Sequence, residues 1–139
     1  AARAQMVSTV LRPALQEGRV VVCDRYTPST IAYQGYGRGI SPEIIDQVNR
    51  LATAGLEPDL VLLLDISPED GLRRTTRRGD RQEQQRFENE PLGFHDLVRD
   101  GYLKLAAGDP DRWLVMDGSL PHERIAKIIW QKVGTVVRR

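Results

Sequence analysis

The sequence predicts an α/β protein built on a parallel sheet with helices on both faces. Three apolar runs predict it: residues 19–24 (RVVVCD), 59–65 (DLVLLLD) and 112–117 (RWLVMD). Each follows a turn signal, Gly18, Pro58 or the Asp109-Pro110-Asp111 cluster, and each ends in an acid. Runs this continuous suit strands covered on both faces, and segments of helical period separate them.

Taken in order, residues 1–16 set Met6, Val7, Val10, Leu11 and Leu15 close to helical period before Gly18 breaks it. That stripe serves equally for core packing or for a subunit contact. Ala1 is not an initiator Met and already reads as mid-helix, so a preceding segment is expected. The first strand runs over 19–24, with Cys23 as a small core residue; a single cysteine makes no internal disulfide and fits a reducing cytoplasm. Helices follow at 29–35 and at 42–53, the second opened by Ser41 as cap and Pro42 in the first turn. After the second strand, Ser67-Pro68-Glu69-Asp70 opens a helix over 67–78, and another covers 92–107. The third strand ends at Asp117, and a helix over 121–133 closes a single domain, 1–139. Trp113 and Trp130 read as core.

Twenty basic residues against nineteen acidic ones leave a net charge of +1 in 139 residues, so no global field draws the chain to nucleic acid or to a membrane. No apolar stretch approaches the roughly 20 residues that span a bilayer. A soluble, cytoplasmic protein is expected. His95 and His122 are isolated and predict no metal site.

Ligands of open α/β sheets bind beyond the carboxyl ends of the strands, which points to Asp24, Asp65 and Asp117, although the last two serve as well as helix caps. The most specific segment is Asp24-Arg25-Tyr26-Thr27-Pro28-Ser29-Thr30-Ile31-Ala32-Tyr33-Gln34. Its carboxylate can hold a magnesium ion or the water around one. Its guanidinium can clasp a phosphate with two hydrogen bonds, and Tyr33 and Gln34, one turn after Ser29 and Thr30, can line a pocket for a flat base. The Asp-Arg pair alone fits a structural salt bridge just as well. A second constellation sets Arg73, Arg74, Arg77, Arg78, Arg81 and Arg86 within 14 residues. Each alone is as readily a solvated helix face; together they form the one basic cluster of a nearly neutral chain.

The stretch DRYxxSxxAYQ resembles the motif of thymidylate kinases of the bacterial type. Further islands resemble that family in the same order: Arg3 and Gln5 near the start, GYGRG at 35–39, Glu57 to Leu60 with Asp65, and FHDLVRDGYLKLA from Phe94 to Ala106. The resemblance implies a three-layer P-loop kinase fold of the nucleoside monophosphate kinase kind, with three of five parallel strands in this chain and the N-terminal strands upstream of it. It implies transfer of the terminal phosphoryl group of ATP to dTMP, with Mg²⁺, in a homodimer contacting through the helix at 1–16. Arg25 would contact the dTMP phosphate, with Asp24 close to the metal and to that phosphate. Arg3 would reach the base, and Ser29, Thr30, Tyr33 and Gln34 would complete the nucleoside pocket, Tyr33 closing on the sugar so that a 2′-hydroxyl is disfavoured. A lid would occupy 66–91, its catalytic arginine Arg74 or Arg78, with Arg77 a neighbour. The family's DRxExE sequence falls on residues 85–90, where Gln85 replaces the first acid and Arg86 keeps the arginine; Asp80-Arg81 is the alternative match.

The phosphate-binding pattern G-x-x-x-x-G-K-[ST] does not occur in the chain. The expectation is a piece of a normal enzyme, or else a truncated relative, inactive on its own. Another nucleoside or nucleotide kinase of the same fold and a non-catalytic binding module are the competing readings.

Overall fold

The computed structural model describes residues 2–78 and 90–137. Residues 2–16 form one helical rod, α1, whose middle turn, Val7–Leu11, is π-helical between the α-helical stretches Ala2–Met6 and Arg12–Gln16. Pro13 accounts for the wider turn, because it offers no N–H to the Thr9 carbonyl and its ring crowds that oxygen. Val7 and Leu11 are buried whereas Val10 is exposed, so the apolar stripe divides between core and surface. Gly18, at φ 74°, ends the rod.

Residues 19–24 correct the first expected strand. Among the described residues the ladder contains β1 (Val61–Asp65) and β2 (Trp113–Asp117), and residues 20–24 take part in none of its hydrogen bonds. A strand exists only where its N–H and C=O groups bond to a neighbouring backbone, and residues 20–24 make no such bond to the described residues. Among the described residues two strands are therefore present rather than three. Val22 is 92% exposed, and Cys23 is exposed rather than a core residue.

Helix α2 comprises Thr27–Thr30 continued by the π-helical Ile31–Gly37. Helix α3 spans Pro42–Thr53 and ends on Ala54 and Gly55, both with positive φ. Ser41 sits at its cap position, but its hydroxyl bonds to the Glu43 carboxylate and not to the backbone. Helix α4, Pro68–Arg78, begins as expected: the Ser67 hydroxyl oxygen accepts from the Asp70 N–H at 3.1 Å. Helix α5 spans Leu92–Gly108 and α6 His122–Val137. Ile125 is the buried residue of α6. Trp130, five positions on, points about 140° around the helix and is 79% exposed, a correction to its assignment as core.

Strands β1 and β2 are parallel, paired from Val61 with Trp113 to Asp65 with Asp117, so those two acids share one carboxyl edge. The core beside that edge is Ala32, Phe94 and Val98, with Tyr33 and Tyr102 packed on it. Helices α2 and α5 meet there through reciprocal glycine and aromatic pairs. A Cβ on Gly37 would lie 2.6 Å from the Phe94 ring, and one on Gly101 2.6 Å from the Tyr36 ring, so only glycine permits this approach. No helix among the described residues is long and apolar enough to cross a membrane.

Candidate active site

The site builds from Arg25, whose backbone is left-handed at φ 61°. That conformation is uncommon for a side-chain-bearing residue and costs about 1–3 kcal/mol, so the surroundings must enforce it. The turn places the guanidinium 5.0 Å from the Tyr33 ring centroid, with Nη2 donating to the Tyr33 hydroxyl at 3.3 Å. Burial by itself would lower the Arg25 pKa, but Tyr33, Tyr102 and Asp24 outweigh it and raise it. The cation is permanent and half held, with its carboxylate neighbour Asp24 exposed.

Ser29, Thr30, Tyr33 and Gln34 are half-buried on α2. Tyr33 lies edge-on to Phe94 at 6.0 Å. Ser29 accepts a hydrogen bond at 2.8 Å from Tyr102, whose own pKa is raised by burial, so the phenol stays protonated and donates. Tyr102 is a site neighbour that sequence reasoning passed over. Its signal was the helical spacing of Phe94, Val98 and Tyr102, which puts all three on one face of α5.

Arg3 is committed to protein partners. It donates to Asn49 Oδ1 at 3.0 Å and to the Tyr26 carbonyl at 3.2 Å, and its guanidinium carbon lies 5.7 Å from the Tyr26 ring centroid. It therefore braces the residue after Arg25, and the Tyr26 hydroxyl in turn donates to the Leu56 carbonyl at 3.1 Å.

The strand-end acids differ. Asp117 is held below the usual carboxylate range by the Ser119 side chain and then by the Ser119 N–H, from which it accepts at 2.7 Å, which makes it a turn cap. Asp65 instead takes a two-point ion pair from Arg99, Nε to Oδ1 at 2.7 Å and Nη2 to Oδ2 at 2.8 Å, and this bond lowers its pKa against the opposing effects of burial and Asp117. Arg99 is the second residue the sequence reading passed over.

On α4, Arg73 pairs with Asp70, and Arg74 donates to the Gly118 carbonyl at 2.8 Å. The side chains of Arg77 and Arg78, and residues 79–89 with Arg81 and Arg86, lie outside the described residues, and with them most of the expected lid sequence. Asp24, Arg25, Ser29 and Tyr33 thus come together as one cluster, Arg3 buttresses it, and Arg74 stands at the end of β2. Among the described residues no group of three His, Cys, Asp or Glu side chains could hold a metal. Asp24 fits Mg²⁺ only as one carboxylate joined by substrate phosphate oxygens, which is this ion's ordinary way of binding.

Comparison with known proteins identifies the family and the fold. The family model described as thymidylate kinase matches residues 1–129. The chain is 48% identical over 139 residues to a thymidylate kinase of Solidesulfovibrio magneticus, covering 97% of this chain and 66% of the relative. It is 53% identical over 124 residues to one from Geotalea uraniireducens, covering 86% and 57%. The crystal structure of thymidylate kinase from Ehrlichia chaffeensis superposes with a TM-score of 0.68 at 28% identity, over 96% of this chain and 60% of that one. The chain spans less than two thirds, 57–66%, of the length of the relatives it matches. With a P-loop kinase α/β fold and a family match over nearly its whole length, the chain belongs to the thymidylate kinase family.

Proposed function

We propose that the gene product containing this chain transfers the terminal phosphoryl group of ATP to dTMP, giving dTDP. The observation that carries this is the Arg25 guanidinium held beside Asp24 and against Tyr33, a fixed cation at the place where the family motif requires an anion clasp. Two donors of the Arg25 fork suit two phosphate oxygens of the acceptor nucleotide. Tyr33, fixed by Phe94, offers a rigid face to the sugar, with Thr30 one helical turn before it and Gln34 next to it for the base. Arg3 contributes to base selection by bracing Tyr26, or by exchanging its protein partners for the base.

Phosphoryl transfer asks the protein chiefly for position and for positive charge around the moving oxygens. Mg²⁺ entering with ATP would neutralise charge on the phosphates, and Asp24 is the residue here that would hold it. The region 66–91 serves as lid, with Arg74 or Arg78 as the catalytic arginine and Arg77 and Arg86 as ATP-side neighbours. The same reading makes the enzyme a cytoplasmic homodimer. The exposed Val10 and Leu15 of α1 are the residues available for a subunit contact.

The test is ADP release by the complete gene product with ATP, Mg²⁺ and each nucleoside monophosphate in turn. Turnover of dTMP above dCMP, dGMP and dAMP is expected. Equal or better turnover of another monophosphate overturns the substrate assignment in favour of a different kinase of this fold, and no turnover of any favours a binding module.

A further inference from the structure

The two halves of the site lie on separate stretches of chain, and α5 is the element that touches both. Towards the acceptor side, Phe94 meets Tyr33 edge-on at 6.0 Å and Tyr102 donates to Ser29 at 2.8 Å. Towards the arginine side, Arg99 grips Asp65 at two points, 2.7 and 2.8 Å. Asp65 is the last residue of β1, and α4 starts three residues later. The backbone carbonyl of Asp65 also accepts from Gly118 N at 2.7 Å, and the Gly118 carbonyl accepts from Arg74 at 2.8 Å. Contacts therefore run without a gap from Tyr33 through α5 to Asp65, Gly118 and Arg74.

We propose that Arg99, by its two-point pairing with Asp65, is a positioning residue for phosphoryl transfer, setting the acceptor-side residues and the arginine-bearing helix α4 at a fixed separation. The inference rests on the function proposed above. Stability alone gives a weak reason for such a pair, because partly exposed ion pairs contribute about 1 kcal/mol or less. Its geometry is another matter. A planar fork on a carboxylate fixes direction as well as distance, which a lysine cannot do. Arg99 lies three residues before Tyr102 on α5, so any rotation or sliding of the helix that loosens the pair also displaces the Tyr102 hydroxyl from Ser29.

The experiment uses the complete gene product with Arg99→Met, Arg99→Lys, Asp65→Asn and the double variant Arg99→Met with Asp65→Asn. Read out are kcat, both KM values, melting temperature, and amide hydrogen exchange in residues 27–37 and 68–78. Misplacing reacting groups by about 1 Å costs up to about 100-fold, so kcat is expected to fall about 10- to 100-fold in each single variant. KM for dTMP should stay within about threefold, and the double variant should be no worse than either single one. Arg99→Lys, which keeps the charge and the fold but loses the fork, is expected to be as slow as Arg99→Met. Exchange should rise on α2 and α4 together. Normal kcat with a lowered melting temperature overturns the proposal, as does full rescue by lysine. Exchange that rises on α5 alone overturns it whatever the wild-type activity proves to be, which separates its failure from failure of the dTMP assignment.

Discussion

The acceptor side and the arginine side of this site are held by different forces. Residues 25–37 are fixed by packing: Ala32 is fully buried, Phe94 and Val98 close over it, and glycines at 37 and 101 admit aromatic rings at contact distance. Among the described residues, helix α4 carries polar contacts of its own, the Ser67 cap and the Arg73–Asp70 pair, and reaches the end of β2 through Arg74 on the Gly118 carbonyl, while Arg73 and Arg74 themselves are exposed. Close-packed apolar contacts are lost together or not at all. Single hydrogen bonds to a carbonyl can be exchanged for a better anionic partner at little net cost. Under the function proposed above, the difference would make one half of the site preformed for binding and leave the other with cations that a phosphate can recruit.

The sharpest way to break that contrast is to remove the arginines of α4 one at a time. If the arginine side acts only as charge grows on the transferring group, Arg78→Ala or Arg74→Ala should lower kcat by on the order of 10³-fold while KM for dTMP changes little. Arg77→Ala is the neighbour control. Near-normal kcat in all three would move the catalytic cation out of α4 and leave no functional asymmetry between the halves.

The acceptor side should fail in the opposite manner. Arg25→Ala removes a charge-assisted clasp from a preformed pocket, a loss of about 2–3 kcal/mol, so calorimetry should show dTMP affinity down by about 30- to 150-fold with the fold intact. Arg25→Gly should bind as poorly but melt higher than Arg25→Ala, because glycine relieves the left-handed backbone at φ 61°. Unchanged dTMP affinity in both variants would remove Arg25 from the site.

What could be read beforehand follows the same division. Helices α3, α4 and α5 and strands β1 and β2 were legible because caps, period and apolar runs are local signals. Residues 19–24 have the same apolar character as β1, yet a strand is defined by its neighbour, and no local signal says whether one is alongside. Cys23 and Trp130 were assigned to the core for the same reason, since burial depends on what covers a residue. The Asp24 to Gln34 cluster was legible because it is contiguous. Tyr102 and Arg99 were not, because they meet Ser29 and Asp65 from 73 and 34 residues away, and only the packing of α5 brings them there.

The smallest expected effect separates charge from packing at the joint between the two halves. The Arg99 bond is the largest influence on Asp65 and depresses its pKa; burial and the Asp117 carboxylate, opposite it in the strand register, work against that bond. A carboxyl whose folded pKa lies below its unfolded value of about 3.9 binds protons more weakly in the native state. Its contribution to stability is therefore complete above about pH 5 and is lost as pH falls through the folded value. With Asp65 and Arg99 side chains 24% and 39% exposed, solvent screening keeps that contribution to about 1 kcal/mol or less. Urea unfolding of the wild type and of Asp65→Asn should then differ by a small constant amount from pH 7 to about pH 5, with the gap closing towards pH 3. Asp117→Asn should deepen the Asp65 depression and shift that closure to lower pH. A gap that persists unchanged at pH 3 would mean that Asp65 acts through shape alone, and that the joint between the preformed and the recruitable half is not an ionic one.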